Sequence, residues 1–443
     1  MTAASRGLLS TAGGRTFVTM WAGQSISQFG SRLTIFAFGV WLYQRTGEAT
    51  PLFLTALFGF LPGILLAPIA GVLVDRSDRR TVMILINIVH SIVAVLQLAL
   101  LSSDSLQLWM LYGLLAISSA AETFQWPAES SSISVLVPPD QLGRANGLYS
   151  ISGGVSELLA PIAGAALVVT IGITGIIVLD LVSFALEFVT LFVIRIPRPA
   201  SSGVGSAMNG GVMQQVRDGF KFILERPGLL SLLVTFTGVN FTGSIIAQLQ
   251  APLVLSRTGD PNAFGIVAAA IGAGVLLGGM YMTATGGPKS RAAGVLLGIA
   301  TSGLLGSALF GLARGVPVWI IANLFTGFLL PVLNGSSQSI WQSKTPADIQ
   351  GRVFATRRMI AQFTSPIAFL IAGPLADRVF KPVFAGDFGE QFAWLLGSSA
   401  GRGYAAMFVI FGIATSAFGF AGWLRPAARN VERDIPDAQP SSH

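Results

Sequence analysis

The stretch Gly71-Val72-Leu73-Val74-Asp75-Arg76-Ser77-Asp78-Arg79-Arg80 decides how this chain is read. It closes one apolar segment, Pro51 to Val74, that carries no charge. It opens another, Thr81 to Leu101, whose one ionisable group is His90. Each is long enough to cross about 30 Å of hydrocarbon as a helix. The charges packed into residues 75–80 cannot lie in lipid, so they form a short, tight loop at one membrane face. Three of them are arginine, which favours the cytoplasmic face.

Composition agrees. The 443 residues are 52% hydrophobic and 11% charged, against about 25% charge in soluble proteins, and a polytopic membrane protein is the ordinary class that fits. There is no cysteine, which excludes disulfides, thiolate metal sites and cysteine nucleophiles. His443 ends the chain and His90 stands alone in an apolar run, so no histidine metal site, and no cofactor, is expected. The net charge of +7 is scattered through short loops, the pattern of membrane topology rather than of nucleic-acid binding. No lysine follows a glycine, so there is no phosphate loop for an ATP-driven pump. Without a histidine pair or a nucleophile elbow an enzyme is not expected either. Residues 1–14 are polar and small, and the first apolar stretch is too long for a cleavable signal.

Twelve spans are predicted: 16–44, 51–74, 81–102, 106–128, 146–170, 174–194, 229–254, 264–286, 293–312, 317–340, 354–375 and 403–424. Twenty of the 27 Lys+Arg then fall on the side of the termini and six on the other. This puts both termini in the cytoplasm of a multi-pass protein of the cell (inner) membrane. Residues 1–196 form one six-helix bundle and 228–428 a second. The linker, 197–227, turns amphipathic from Val212 to Leu224, with Val216, Phe220, Ile223 and Leu224 on one face, and is expected to lie in the membrane interface. The tail, 429–443, is expected to be disordered. Residues 376–402 read as a long external loop. An internal repeat supports two related halves: Pro138-x-Asp140-x-x-Gly143-Arg144 recurs as Pro346-x-Asp348-x-x-Gly351-Arg352, and Gly63-x-Leu65-Leu66 as Gly274-x-Leu276-Leu277. In the first repeat each Asp is placed to cap a helix start.

Gly-x-x-x-Asp-Arg-x-x-Arg-Arg between the second and third spans resembles the loop signature of the major facilitator superfamily of secondary transporters, with Asp78 where the family usually has glycine. The resemblance implies an all-α membrane fold of twelve transmembrane helices in two pseudo-symmetric six-helix bundles around a midplane site. It also implies a monomer. Gly23-Gln24, Arg144-Ala145-Asn146 and Gly373-Pro-Leu-Ala-Asp377-Arg378 look like the branch of enterobactin-type siderophore exporters and macrolide efflux proteins. The family reading makes Gly71, Asp75, Arg76, Arg79, Arg80, Arg144 and Arg352 a conformational latch, in which Asp75 meets the cytoplasmic end of the other bundle. The alternative is a topology anchor, and both can hold.

Charges inside spans cost about 3 kcal/mol or more, so each needs a reason. Span one offers Gln24, Gln28, Ser31 and Arg32 at helical spacing; span seven offers Asn240, Ser244 and Gln248, with Phe241 beside them. These stripes either face a shared cavity or glue helices together through hydrogen bonds. The branch often has an acid where Ser31 stands. The embedded acids are Glu122, Glu157, Asp180 and Glu187. A carboxyl in low dielectric can load and release a proton in the working range, as a proton-coupled antiporter requires, and Glu122, Glu157 and Asp180 are the coupling candidates. The alternative for Glu122 or Glu157 is a static ion pair with Arg32. Glu157 lies in Gly153-Gly-x-x-Glu157-x-x-Ala160-Pro161-x-x-Gly164, which looks like a degenerate antiporter signature. Phe124 and Trp126 can contact an apolar substrate.

The reading is proton-coupled efflux of amphipathic small molecules such as drugs, siderophores or peptide-like metabolites, with small-molecule substrate, protons and the lipid bilayer as partners. Lipid or lysophospholipid movement, or import of a nutrient anion with Arg32 as counter-ion, are the alternatives. Asp75→Asn is expected to cut turnover while leaving substrate binding largely intact. Transport in proteoliposomes beside binding to purified protein checks this, and parental turnover removes the latch.

Overall fold

Apolar runs that enter hydrocarbon must satisfy their backbone internally, and this chain does so with helices. The computed structural model describes residues 11–138, 141–196, 212–346, 349–397 and 400–437, and among the described residues there is no strand. The first half holds α1 (Ala12–Thr46), α2 (Thr50–Arg76), α3 (Arg79–Ser102), α4 (Leu108–Glu122), α5 (Gln125–Leu136), α6 (Leu142–Thr170) and α7 (Gly172–Val193). After α8 (Val212–Leu224) come α9 (Pro227–Thr258), α10 (Pro261–Thr285), α11 (Arg291–Thr301) continued by a π-helical stretch Ser302–Ala308 into α12 (Leu309–Leu312), α13 (Val316–Lys344) and α14 (Gln350–Leu375). A second π-helical stretch, Ala376–Phe380, leads into α15 (Lys381–Ala385); α16 (Asp387–Glu390), α17 (Ala393–Leu396), α18 (Arg402–Leu424), α19 (Pro426–Arg429) and α20 (Val431–Asp434) follow.

Every predicted span has its helix, but ten stretches among the described residues are long and apolar enough to cross a membrane, not twelve. The other two differ in kind. α1 carries Arg15, Gln24, Gln28 and Arg32 along its length. The fourth span breaks at Thr123 and Phe124 into α4 and α5, neither of which alone reaches the length of a span. Pro127 falls in the first turn of α5, where a missing N–H costs nothing, and the helix continues through Ser130, Ser131 and Ser132, beyond the predicted end.

The opening stretch folds almost wholly into helix. Only Ser77 and Asp78 separate α2 from α3, and Asp78 caps α3 by accepting from Thr81 N at 2.9 Å. This gives the departure from the family glycine a local role. Asp140 and Asp348, expected as caps, lie outside the described residues, although α6 and α14 begin where the repeat predicts.

Two units emerge. One takes α1 and the chain from Leu54 through α7; the other takes Gly47–Phe53 and the helices from α8 onward. In the first, Phe17, Met20, Val74, Met83, Ala145 and Leu191 form a core cluster. In the second, Leu229, Leu232, Val295, Ile340 and Trp341 do so, and α10 packs tightly on α13. A Cβ on Gly274 would fall 2.2 Å from Leu324 O, and one on Gly278 2.2 Å from Phe328 O. Glycine four residues apart therefore lets these two helices touch backbone to backbone.

Three expectations change. The amphipathic helix α8 forms over the predicted residues, but Phe222 and Ile223 are buried in the second core, and Gly219 lies against Thr356 and the Arg352 carbonyl. Phe220 and Leu224 point outward; the side chain of Val216 lies outside the described residues. Part of this helix thus serves protein packing. Residues 376–402 are not an open loop: the helix runs on to Ala385, Phe384, Phe388 and Phe392 pack ring on ring, and Arg402, 2% exposed, donates to Glu390 Oε1 at 3.0 Å.

The tail is not disordered from residue 429. Val431 is buried, Glu432 Oε2 accepts from Ala292 N at the start of α11 at 3.0 Å, and buried Lys344 donates to Glu432 O at 2.7 Å and pairs with Asp437 at 2.9 Å. The physical reason is that Lys344, at the end of α13, and the free N–H groups of α11 need partners, and the tail supplies them. Residues 438–443 lie outside the described ones. The Lys344 ammonium holds the Asp437 carboxyl below its ordinary range. A carboxyl lowered on folding stabilises the fold above its unfolded value and loses that contribution as pH falls through the lowered one. Asp437→Asn is therefore expected to melt below the parent at neutral pH, with the gap closing as pH drops below about 3.9. Melting curves of detergent-solubilised protein check this, and a gap independent of pH refutes it.

Candidate functional site

In the first unit the predicted polar stripe of α1 divides between two neighbours. Gln24 is buried: its Nε2 donates to Met83 Sδ at 3.3 Å and its Oε1 accepts from Tyr149 Oη at 2.7 Å, which ties α1 to α3 and α6. Gln28 is exposed. Arg32 pairs with Glu157 on α6. Arginine and carboxylate, 125 residues apart in sequence, therefore meet, and both remain partly accessible, at 37% and 46% of their side-chain surface. In low dielectric the pair is the reason each charge is tolerated there.

The acids of α7 are held differently. Asp180, 3% exposed, accepts from Thr34 Oγ1 at 2.8 Å, from Ser31 Oγ at 3.3 Å and from Ser183 Oγ at 3.3 Å. Gly30 leaves room for this group, since a Cβ there would lie 2.8 Å from Asp180 Oδ1. Ser31, which stands where the branch has an acid, is thus a donor to an acid on another helix. Glu187, one face-repeat further along α7, accepts from Asn87 Nδ2 at 3.0 Å. Both acids are met by neutral hydroxyl and amide donors.

Glu122 ends α4 with an exposed side chain, 3.9 Å from His90 Nε2, and that nitrogen also lies 3.3 Å from Ser118 O. Phe124 packs on the first core cluster, whereas Trp126 is 63% exposed. The structure adds Glu129, one turn beyond Gln125, whose Nε2 donates to Glu129 Oε1 at 2.6 Å. It lies one residue beyond the predicted end of the fourth span, 106–128, and so was not counted among the embedded acids; the helical spacing Gln125–Glu129 was the available signal.

In the second unit Asn240 and Ser244 are interhelical glue. Asn240 Nδ2 donates to Ala361 O at 2.9 Å and Ser244 Oγ to Ser365 Oγ at 2.8 Å, both joining α9 to α14. Phe241 and Gln248 are half-buried. Two arrangements here were not anticipated. Gln250 and Asn323 exchange amide hydrogen bonds, and Asn323 also donates to Val267 O at 2.8 Å. Arg357 lies within α14, donates to Ser337 Oγ at 2.9 Å and Gln338 Oε1 at 3.1 Å, and stacks 4.9 Å from the Trp341 ring.

Of the latch residues, Gly71, Asp75 and Arg76 lie in the last turn of α2, but their side chains fall outside the described residues. Arg79 is half-buried; Arg144 and Arg352 are exposed near the starts of α6 and α14. Arg80 is engaged locally: its Nε donates to Leu191 O at 2.7 Å and its Nη2 to Phe192 O at 2.6 Å. A cation on the last carbonyls of α7 is where the helix dipole favours it.

Helices long and apolar enough to cross a membrane, with embedded charges met by partners, are the architecture of an integral membrane transporter. The chain belongs to the Major Facilitator Superfamily, whose sequence profile matches residues 20–369. Macrolide efflux protein A of Streptococcus pyogenes is 27% identical over 368 residues, 82% of this chain and 90% of the relative. The multidrug efflux pump Tap of Mycolicibacterium fortuitum is 24% identical over 357 residues, 79% and 86% of the two chains. A crystal structure of a bacterial homologue of the human lysosomal transporter Spinster, inward-facing and unoccupied, matches with a TM-score of 0.68 at 17% identity over 96% of this chain and 99% of that one.

If Arg32 and Glu157 serve each other, removing one strands the other. Arg32→Gln and Glu157→Gln are each expected to lower the melting temperature, and the double substitution to cost less than the sum, with a coupling of about 0.5–3 kcal/mol. Additive losses in thermal melts refute the coupling.

Proposed function

We propose that this protein exports amphipathic small molecules, of the kind of drugs, siderophores or peptide-like metabolites, in exchange for protons. It does so by alternating access in the cell membrane, as a monomer with both termini cytoplasmic. The observation that carries the reading is the Arg32–Glu157 ion pair, which joins α1 to α6 and stays partly accessible. A proton arriving on the Glu157 carboxylate converts it to the neutral acid and leaves the Arg32 charge unmatched. Loss of that proton restores the pair. Proton movement is thereby tied to a change in what α1 and α6 hold between them, the kind of differential interaction that shifts a two-state equilibrium.

Glu122 and Asp180 are the further proton sites in this reading, Glu122 beside His90 and Asp180 among its three hydroxyls. Gln28 and Trp126 within the first unit, and Phe241 and Gln248 within the second, each pair an amide with an aromatic ring, a chemistry suited to molecules with both apolar and hydrogen-bonding parts. The named activities of the macrolide and multidrug efflux relatives point the same way. Anion import is the weaker reading, because Arg32 already has a carboxylate partner.

Efflux of a dye or macrolide from vesicles with an imposed pH gradient tests the proposal. Glu157→Gln is expected to abolish uphill transport while downhill exchange persists. Uphill transport retained by Glu157→Gln removes this residue as the carrier, and pH-independent transport by the parent removes proton coupling itself.

A further inference from the structure

The six residues Gly71-x-Leu73-x-Asp75-Arg76 that close α2 have an exact counterpart in Gly373-x-Leu375-x-Asp377-Arg378, which runs from the end of α14 into the π-helical stretch Ala376–Phe380. The side chain of Asp377, unlike that of Asp75, is described, and it is fully engaged. Its Oδ1 accepts from Ala49 N at 2.9 Å and Tyr404 Oη at 3.2 Å; its Oδ2 accepts from Thr50 N at 2.6 Å and Thr50 Oγ1 at 2.6 Å. Lys381, one turn on, donates to Gly47 O at 2.8 Å. Gly373, one turn back, lies where a Cβ would fall 2.9 Å from Thr50 Cα. One side of one helix end thus grips the first turn of α2.

The grip answers a local need. A helix start leaves backbone N–H groups without partners, and a side-chain oxygen just before it normally accepts from them. Residue 49 is alanine and has no such oxygen, so the carboxylate of Asp377 supplies it from 328 residues away, with its charge at the end of α2 where the dipole favours an anion. The segment Gly47–Phe53 accordingly belongs to the second unit, and α2 passes into the first unit between Phe53 and Leu54. A single helix held at its first turn by one unit and built into the other along the rest of its length cannot follow both through a transport cycle unless this contact lets go.

We propose that Asp377 is a releasable latch on the start of α2, the counterpart of Asp75 at the opposite membrane face. Asp377 holds in the state described here, and Asp75 holds in the state in which Asp377 is free. The repeated Gly-x-Leu-x-Asp-Arg pattern is then one device used twice, with glycine for close approach and the acid for an uncapped helix start. The proposal rests on alternating access but not on proton coupling or on any particular substrate.

The test exploits the absence of cysteine. Ala49→Cys places a single thiol at a fully buried position beside the latch, and its reaction with a membrane-impermeant maleimide added outside intact cells reads release without any substrate. Asp377→Ala is expected to speed labelling about five- to tenfold, the population shift that loss of a capping carboxylate produces. Asp377→Asn, whose amide N–H₂ opposes the backbone donors, should speed it less. Asp75→Asn should act in the opposite direction and slow labelling, a sign that general loosening of the fold cannot produce. If Asp377→Ala fails to reach the membrane, Asp377→Asn and Lys381→Met carry the test. Labelling unchanged in the Asp377 variants, or accelerated by Asp75→Asn, overturns the proposal, whatever becomes of the efflux reading.

Discussion

A guanidinium or a carboxylate inside a bilayer must be met by something, because hydrocarbon offers neither water nor counter-ion. Much of the polar structure of this chain follows from that requirement. Arg32 is met by Glu157, Asp180 by three hydroxyls from α1 and α7, Glu187 by the Asn87 amide, and Arg357 by a serine, a glutamine and a tryptophan face. These are different solutions. An ion pair changes character when either partner gains or loses a proton, whereas an acid among neutral donors changes the count of its own hydrogen bonds. In the proton exchange proposed above, Glu157 stands ahead of Asp180 because a change at its carboxylate also changes what the Arg32 charge is paired with.

The fold was legible wherever the physics is local. Uncharged runs of some twenty residues became helices, the amphipathic pattern of Val212–Leu224 matched a helix, and the loop signature with its arginines placed the chain in its family. The site was legible only as an inventory. The stripe Gln24, Gln28, Arg32 was visible, but not that Gln24 turns to Tyr149 and Met83 while Arg32 turns to Glu157. The equivalent stripe on α9 proved to be glue, since Asn240 and Ser244 bond α14. Helical spacing tells which residues share a face and is silent on what that face meets.

The errors have a common cause. The external segment was read as loop and the tail as disordered because polar residues follow an apolar run, and hydropathy alone cannot separate an exposed polar segment from one that is docked. A partner outside the segment's own turn decides the matter: Arg402 for Glu390, and, far away in sequence, Lys344 and Ala292 N for the tail. A polar stretch that can cap an orphaned helix end lowers the free energy of both, so it folds where its composition says it need not.

That last point reaches beyond the tail. The end of α7 is capped by Arg80 from α3, the start of α11 by Glu432 from α20, the first turn of α2 by Asp377, and Arg257 of α9 donates to the terminal carbonyls of Ala313 and Leu396. In a bundle whose lateral surfaces are apolar, contact between helices gains no hydrophobic driving force over contact with lipid and rests on close packing spread along the helix. Capping from a distant helix is different: it is directional, it involves formal charge, and it is made or broken at a single point. Helix ends are therefore where such a chain can store a choice between states, and an acid borrowed from another helix can hold that choice because a side chain can let go while the helix it caps stays intact.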